Sequence, residues 1–110
     1  MPEGPGRWST AKATNTINDC AGRLSFTLSW RLHAKDQMRA RDILIGDVLY
    51  VLRNGFVLDE PRAATRPGFF KYLIESTSPN SGGRKIGVVV IPDDSACALK
   101  IITVMWRDEL

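Results

Sequence analysis

His33, Lys35, Arg39 and Arg41 fall within HAKDQMRARDI, residues 33 to 43, which holds the chain's single histidine. An unperturbed imidazole titrates near neutral pH, so His33 can take or give a proton there. Arginine stays charged and offers a planar fork, which suits Arg39 or Arg41 to holding a phosphate. His33, Gln37 and Arg41 recur every four residues, and Lys35 with Arg39 forms a second row beside them. Farther along, Lys71, Arg84 and Lys85 add cations, and Tyr72 or Trp106 can stack on an unpaired base. Metal-independent RNA cleavage needs such parts. A base takes the 2′-hydroxyl proton, a cation offsets charge at phosphorus, and an acid protonates the leaving 5′-oxygen. His33, Arg41 and Lys71 are the candidate catalytic residues, with Lys35, Arg39, Tyr72, Arg84 and Lys85 as candidate binding residues.

The same residues also have plainer roles. A histidine at a helix start commonly bonds a backbone group. Arg41 can pair with Asp42, Asp47 or Glu75, and Lys71 can decorate solvent beside Glu75. Tyr72 alternates with Phe70 and Ile74, which favours core packing. Asp93 and Asp94 follow Pro92 and read as a turn, and Arg62 and Arg66 lie in a long loop.

Positioning these groups takes several elements. MPEGPGRW is rich in Pro and Gly, so residues 1–8 are expected to form an irregular tail. Ser9 can cap a helix running to about Ala21, with Ala13, Ile17 and Cys20 on one face and Gly22 as its stop. RLSFTLSW alternates apolar and polar residues, the pattern of a half-buried strand. In the basic helix that follows, Ala34, Met38 and Ile45 face the core, and Asp42 breaks or caps it. Val48, Leu49, Val51 and Leu52 form the apolar face of a further helix ending at Asn54-Gly55. FFKYLIES, RKIGVVVI and ALKIITVMW are strands, with turns at Gly82-Gly83 and Pro92-Asp93-Asp94. The expected fold is α+β: a small antiparallel sheet of about four strands with two to three helices on one face.

A chain of 110 residues is sized for one domain. Its 44% apolar and 25% charged residues match an ordinary globular composition and argue against disorder. The net charge of +3 and pI near 9.1 lean mildly toward anionic partners. Within residues 23 to 41, Asp36 is the only acid among five cations. Cys20 and Cys97 allow one disulfide but do not make a secreted framework. With a single histidine and no paired cysteines, no metal or other cofactor is expected. No apolar run has membrane-spanning length and no signal-peptide core opens the chain, so the expected compartment is the cytoplasm. The terminal RDEL reads as a chance match to a retention tail.

HAKDQM followed by RARDI, then VLRNG and KIITVMW, resembles the bacterial domain-of-unknown-function family 4258, from about Leu24 to Trp106. Gln37 stands where that family usually has an arginine and Asp42 where it has a glycine. The element order is similar to the RelE-like ribonuclease toxins, the motility quorum-sensing regulator toxin in particular. That resemblance implies a messenger-RNA-cleaving toxin held silent by an antitoxin. The alternatives are a non-catalytic module binding nucleic acid or protein, and a phage or plasmid inhibitor acting through its surface. RNA and an antitoxin or other protein are therefore the expected partners, with no membrane partner.

Overall fold

The computed structural model describes residues 4–109, and its first helix begins where the sequence offers a cap. The Ser9 hydroxyl accepts from the Lys12 N–H at 3.1 Å, and α1 runs Thr10–Ala21. Ala13, Ile17 and Cys20 are buried along it. The remaining elements are β1 (Thr27–Trp30), α2 (Leu32–Arg41), α3 (Ile45–Asn54), β2 (Phe56–Val57), β3 (Arg62–Ala63), β4 (Phe70–Ser76), β5 (Ile86–Asp93) and β6 (Ala98–Trp106). This is an α+β fold, and β4, β5 and β6 form the expected antiparallel meander. The sheet order is β1-β6-β5-β4-β2, with β3 also on β4.

Three features depart from the expected pattern. The sheet is mixed, because β1 runs parallel to β6, Leu28 opposite Leu99. β1 is also shorter than the alternation of 23–30 predicts, and Leu24 lies wholly in solvent. The third is the irregular segment before Ser9. It is no free tail: Trp8 is buried, stacks on Tyr72 at 5.7 Å, and donates its backbone N–H to the Tyr72 hydroxyl. The first three residues of the expected tail lie outside the described residues.

The two basic-segment helices are separated by a sharp break. Asp42 takes a left-handed backbone (φ 55°), a conformation that Asp tolerates better than most residues, and so ends α2. Leu44, not Asp42, occupies the N-cap of α3, and the Asp47 carboxylate accepts its N–H at 2.9 Å. The break resets the helical phase. Ile43 is therefore buried, whereas Ile45, expected in the core, is 54% exposed. Gly55 ends α3 without left-handed backbone. A Cβ there would meet the carbonyl oxygens of Val51 and Glu75 at 2.6 and 2.8 Å, so close approach is what demands glycine.

α1 and α3 cap each other. Asn18 donates to the Leu52 carbonyl at 2.7 Å, and Arg53 Nε to the Ala21 carbonyl at 2.8 Å, filling last-turn acceptors that have no partner in their own helix. All three helices contribute to one core cluster with the inward residues of the sheet, among them Ile74, Val88, Val90, Leu99 and Val104. A bulge in β6 shifts the register there, so Ile101 joins the core and Ile102 turns to the other face. Val51 and Leu52 are fully buried on the helical side. Leu52→Ala should cost about 3 kcal/mol in denaturant unfolding. A loss under about 0.5 kcal/mol would contradict that packing.

α2 finishes what β1 leaves open. β1 stops at Trp30, and Gln37 Oε1 then accepts the Val104 N–H at 3.0 Å. Cys20 and Cys97 form a disulfide with Cα atoms 5.4 Å apart, tying α1 to the turn before β6. That turn spans residues 94–97, because β5 continues through Pro92 and Asp93. Pro92 lies past Val90, the last β5 residue paired with β4.

Candidate nucleic-acid interface

Helices cover one face of the sheet, so alternation decides what the other face presents. Tyr72 and Ile74 point into the core from β4, which turns Lys71 outward. Leu99 and Ile101 point inward from β6, which turns Lys100 outward. Ile91 pairs with Lys100, Lys100 with Ser29, and Lys71 with Arg62. Tyr72 pairs with Val90, so Lys71 stands opposite Ile91. The outer face therefore carries a row running from Arg62 through Lys71, Ile91 and Lys100 to Ser29. Lys71 and Lys100 are two strand spacings apart, about 10 Å.

A groove of about 300 Å³ runs along this row. Arg31, Arg66, Lys71 and Lys100 line it with Asp93 as the one carboxylate, while Ser29, Ile91 and Phe69 fill the gaps. Among the described residues none of these four cations is in an ion pair. Arg66 lies 4.5 Å over the Phe69 ring, an arrangement that orients the guanidinium and leaves its charge in place. Asp93 is held by Ser95, whose N–H and hydroxyl donate to it at 3.1 and 2.7 Å. Four cations facing one carboxylate, on a sheet face that no helix covers, give this groove an excess of positive charge.

The expected site residues scatter over three regions. Lys71 is in the groove. His33, Lys35 and Arg39 are exposed on α2, and His33 lines neither this groove nor the trough beside α2. Tyr72 is 1% exposed and stacked on Trp8, so it is a core residue and no base reaches its ring. Burial, the largest influence, raises the pKa of its hydroxyl.

Arg41 and Arg84 meet at the far end of β6, beside Trp106. Trp106 Nε1 donates to the Arg41 carbonyl at 3.1 Å, and the Arg84 guanidinium sits 4.1 Å over the indole. Both arginines are occupied by the end of the chain. Glu109 accepts from Arg41 at 2.7 Å, and Asp108 takes both arms of Arg84 at 2.8 and 3.0 Å. Lys85 is exposed next to them. His33, Arg41 and Lys71 are thus not gathered into one centre: Lys71 faces the side of the sheet opposite the helices.

The hydrogen bond from Arg84 holds the Asp108 carboxyl below its usual range, and that from Arg41 does the same for Glu109. Arg84 is raised in return. Both carboxyls are more acidic folded than unfolded. Their contribution to stability is therefore present above the ordinary carboxylate range and lost as falling pH protonates the folded groups. Asp108→Asn should lower the melting temperature at pH 7, and the deficit should shrink as pH falls below the ordinary carboxylate range. A deficit that does not change with falling pH would show that the pair does not act through charge.

The sequence signal for this groove was available but weak. Lys100 sits between Leu99 and Ile101 as Lys71 sits between Phe70 and Tyr72, and each flanked lysine must face away from the core. Arg31 was visible only as part of a basic run, Arg66 as a loop residue and Asp93 as a turn residue. No group of three or more potential metal ligands occurs among the described residues. No described helix is long and apolar enough to cross a membrane.

No curated protein and no solved structure matches the chain. A family model does match, over residues 30–106, which takes in β1's last residue, α2, α3 and the whole meander. Arg31, Arg66, Lys71, Asp93 and Lys100 all lie inside that span, while α1 and Cys20 lie before it. The chain belongs to the family described as Domain of unknown function (DUF4258).

Proposed function

We propose that this chain is a metal-independent endoribonuclease, a toxin of the kind paired with an antitoxin, that binds single-stranded RNA along the open face of its sheet. The observation that carries the proposal is the row of cations without an ion pair among the described residues, Lys71 and Lys100 flanked by Arg31 and Arg66. A spacing of about 10 Å between the two lysines lets phosphates of an extended strand lie across the row.

Cleavage follows from the groups in the groove. Asp93, the one carboxylate among the described residues that line it, takes the 2′-hydroxyl proton as O2′ bonds to phosphorus. Arg31 and Lys100 offset the charge on the non-bridging oxygens. The P–O5′ bond breaks, and the Lys71 ammonium protonates the leaving oxygen. The products are a 2′,3′-cyclic phosphate and a 5′-hydroxyl. The compartment proposed is the cytoplasm, where messenger RNA is found and where the thiol pool keeps Cys20 and Cys97 reduced; the disulfide is then an oxidised form.

A labelled single-stranded RNA incubated with the chain in EDTA tests this. Cyclic-phosphate ends that disappear with Lys71→Ala and Asp93→Asn are expected. Intact RNA that still binds in a salt-dependent way would favour the non-catalytic nucleic-acid module. RNA that neither binds nor breaks would remove the nucleic-acid reading altogether.

A further inference from the structure

The basic helix α2 has a second surface, on the side where α3 begins. Leu32, Leu44 and Ile45 are 77%, 61% and 54% exposed. Leu44 and Ile45 border a trough of about 280 Å³, floored by Trp30 and Met38 and edged by Lys35 and Arg39. No acid lines it.

The fold itself does not explain these side chains. Leu44 is an N-cap residue, a position where Ser, Thr, Asp or Asn would bond the helix and leucine cannot. Each large aliphatic left in water forgoes burial that would stabilise the fold. Lys35 and Arg39 lie one turn apart on the same rim, and among the described residues Lys35 has no ion pair. Arg39 has only Asp36 at 3.6 Å, with both side chains largely exposed.

We infer that this trough is a docking site for an acidic amphipathic helix of a partner protein. Apolar residues spaced three and four apart on that helix enter between α2 and the start of α3, as ridges enter grooves. Its Glu or Asp residues flank the apolar stripe and meet Lys35 and Arg39. A second copy of this chain fits badly, because its own α2 would bring the same cations to the contact. RNA fits badly too, because aliphatic side chains offer its phosphates nothing. The trough is separate from the open-face groove, and the inference stands whether or not the chain cleaves RNA.

The test is a selection from a random helical peptide library against the full chain, with Ile45→Glu protein as counter-selection. Enriched peptides should carry Leu, Ile or Val at helical spacing with acidic flanks. A synthesised winner should bind the parent and lose at least 10-fold on Ile45→Glu and on Lys35→Glu/Arg39→Glu. Leu44→Ser separates docking from folding: serine is the better cap, so the melting temperature should hold or rise while peptide binding falls. No enrichment, basic winners, or winners indifferent to Ile45→Glu would overturn the inference. So would a parent dimer that Ile45→Glu dissociates, or an RNA that binds the parent and not Ile45→Glu.

Discussion

Reducing the Cys20–Cys97 disulfide should lower the unfolding free energy by about 4 kcal/mol, the chain-entropy value for so long a loop. The two residues are 77 apart in sequence, so the bridge removes much of the freedom of the unfolded chain. Native geometry supports the bond without rearrangement, since a Cα separation of 5.4 Å is ordinary for a disulfide. In a domain of this size the loss corresponds to a fall in melting temperature on the order of 15 °C or more. Reductant should act on the parent and leave Cys20→Ser/Cys97→Ser unchanged. The reduced protein should still fold, because Ala13 and Ile17 keep α1 packed on the core. A parent whose melting temperature is indifferent to reductant would show that the bridge does not form. The bond also joins a helix outside the family match to the matched domain, so its loss should be read first as exchange protection lost in α1.

Local rules recovered most of the elements. Ser9 and Gly22 bounded α1, period-four spacing placed α2 and α3, and alternation placed β4, β5 and β6. The misplacements arose where one local event reset a pattern. The left-handed turn at Asp42 changed helical phase and sent Ile45 outward. The bulge in β6 interrupts the strand's alternation, putting Ile101 in the core and Ile102 on the other face. The parallel pairing of β1 with β6 is non-local, since residues 31–97 intervene, and no window of sequence contains it. Trp8 was hidden because Pro and Gly around it signal irregular backbone. Irregular backbone is no bar to burying an indole.

The candidate site was less legible than the fold for a related reason. Basic side chains clustered in sequence, as in residues 33 to 43, share a helix face and not this groove. Those that share the groove come from the N-cap of α2, the loop after β3, β4 and β6, and the strand register brings them together. Lys71 stands between two aromatics on a clear strand, and Lys100 stands between two aliphatics, so alternation turns both outward. Arg41 and Arg84 were drawn into the expected site by charge alone, and their pairing with Glu109 and Asp108 depends on how the chain end folds back.

Lys71→Glu/Lys100→Glu should weaken binding of single-stranded RNA by on the order of 100-fold at 0.1 M salt. A lysine about 4 Å from a phosphate contributes about 1 kcal/mol in a water-like dielectric, and reversing its sign doubles the change. Two reversals then approach about 4 kcal/mol, which screening at that ionic strength reduces. The groove's balance also inverts, from four cations and one carboxylate to two cations and three carboxylates. The slope of log affinity against log salt should fall by about two phosphate contacts. Folding should be spared, because both side chains face away from the core, and matching thermal melts would verify this. His33→Ala is the control: its ring is exposed on α2 and lines neither the groove nor the trough, so RNA affinity should change less than about twofold. The opposite pattern, with His33→Ala and Arg41→Ala losing RNA while the double reversal retains it, would move the interface from the open sheet face to the basic helix.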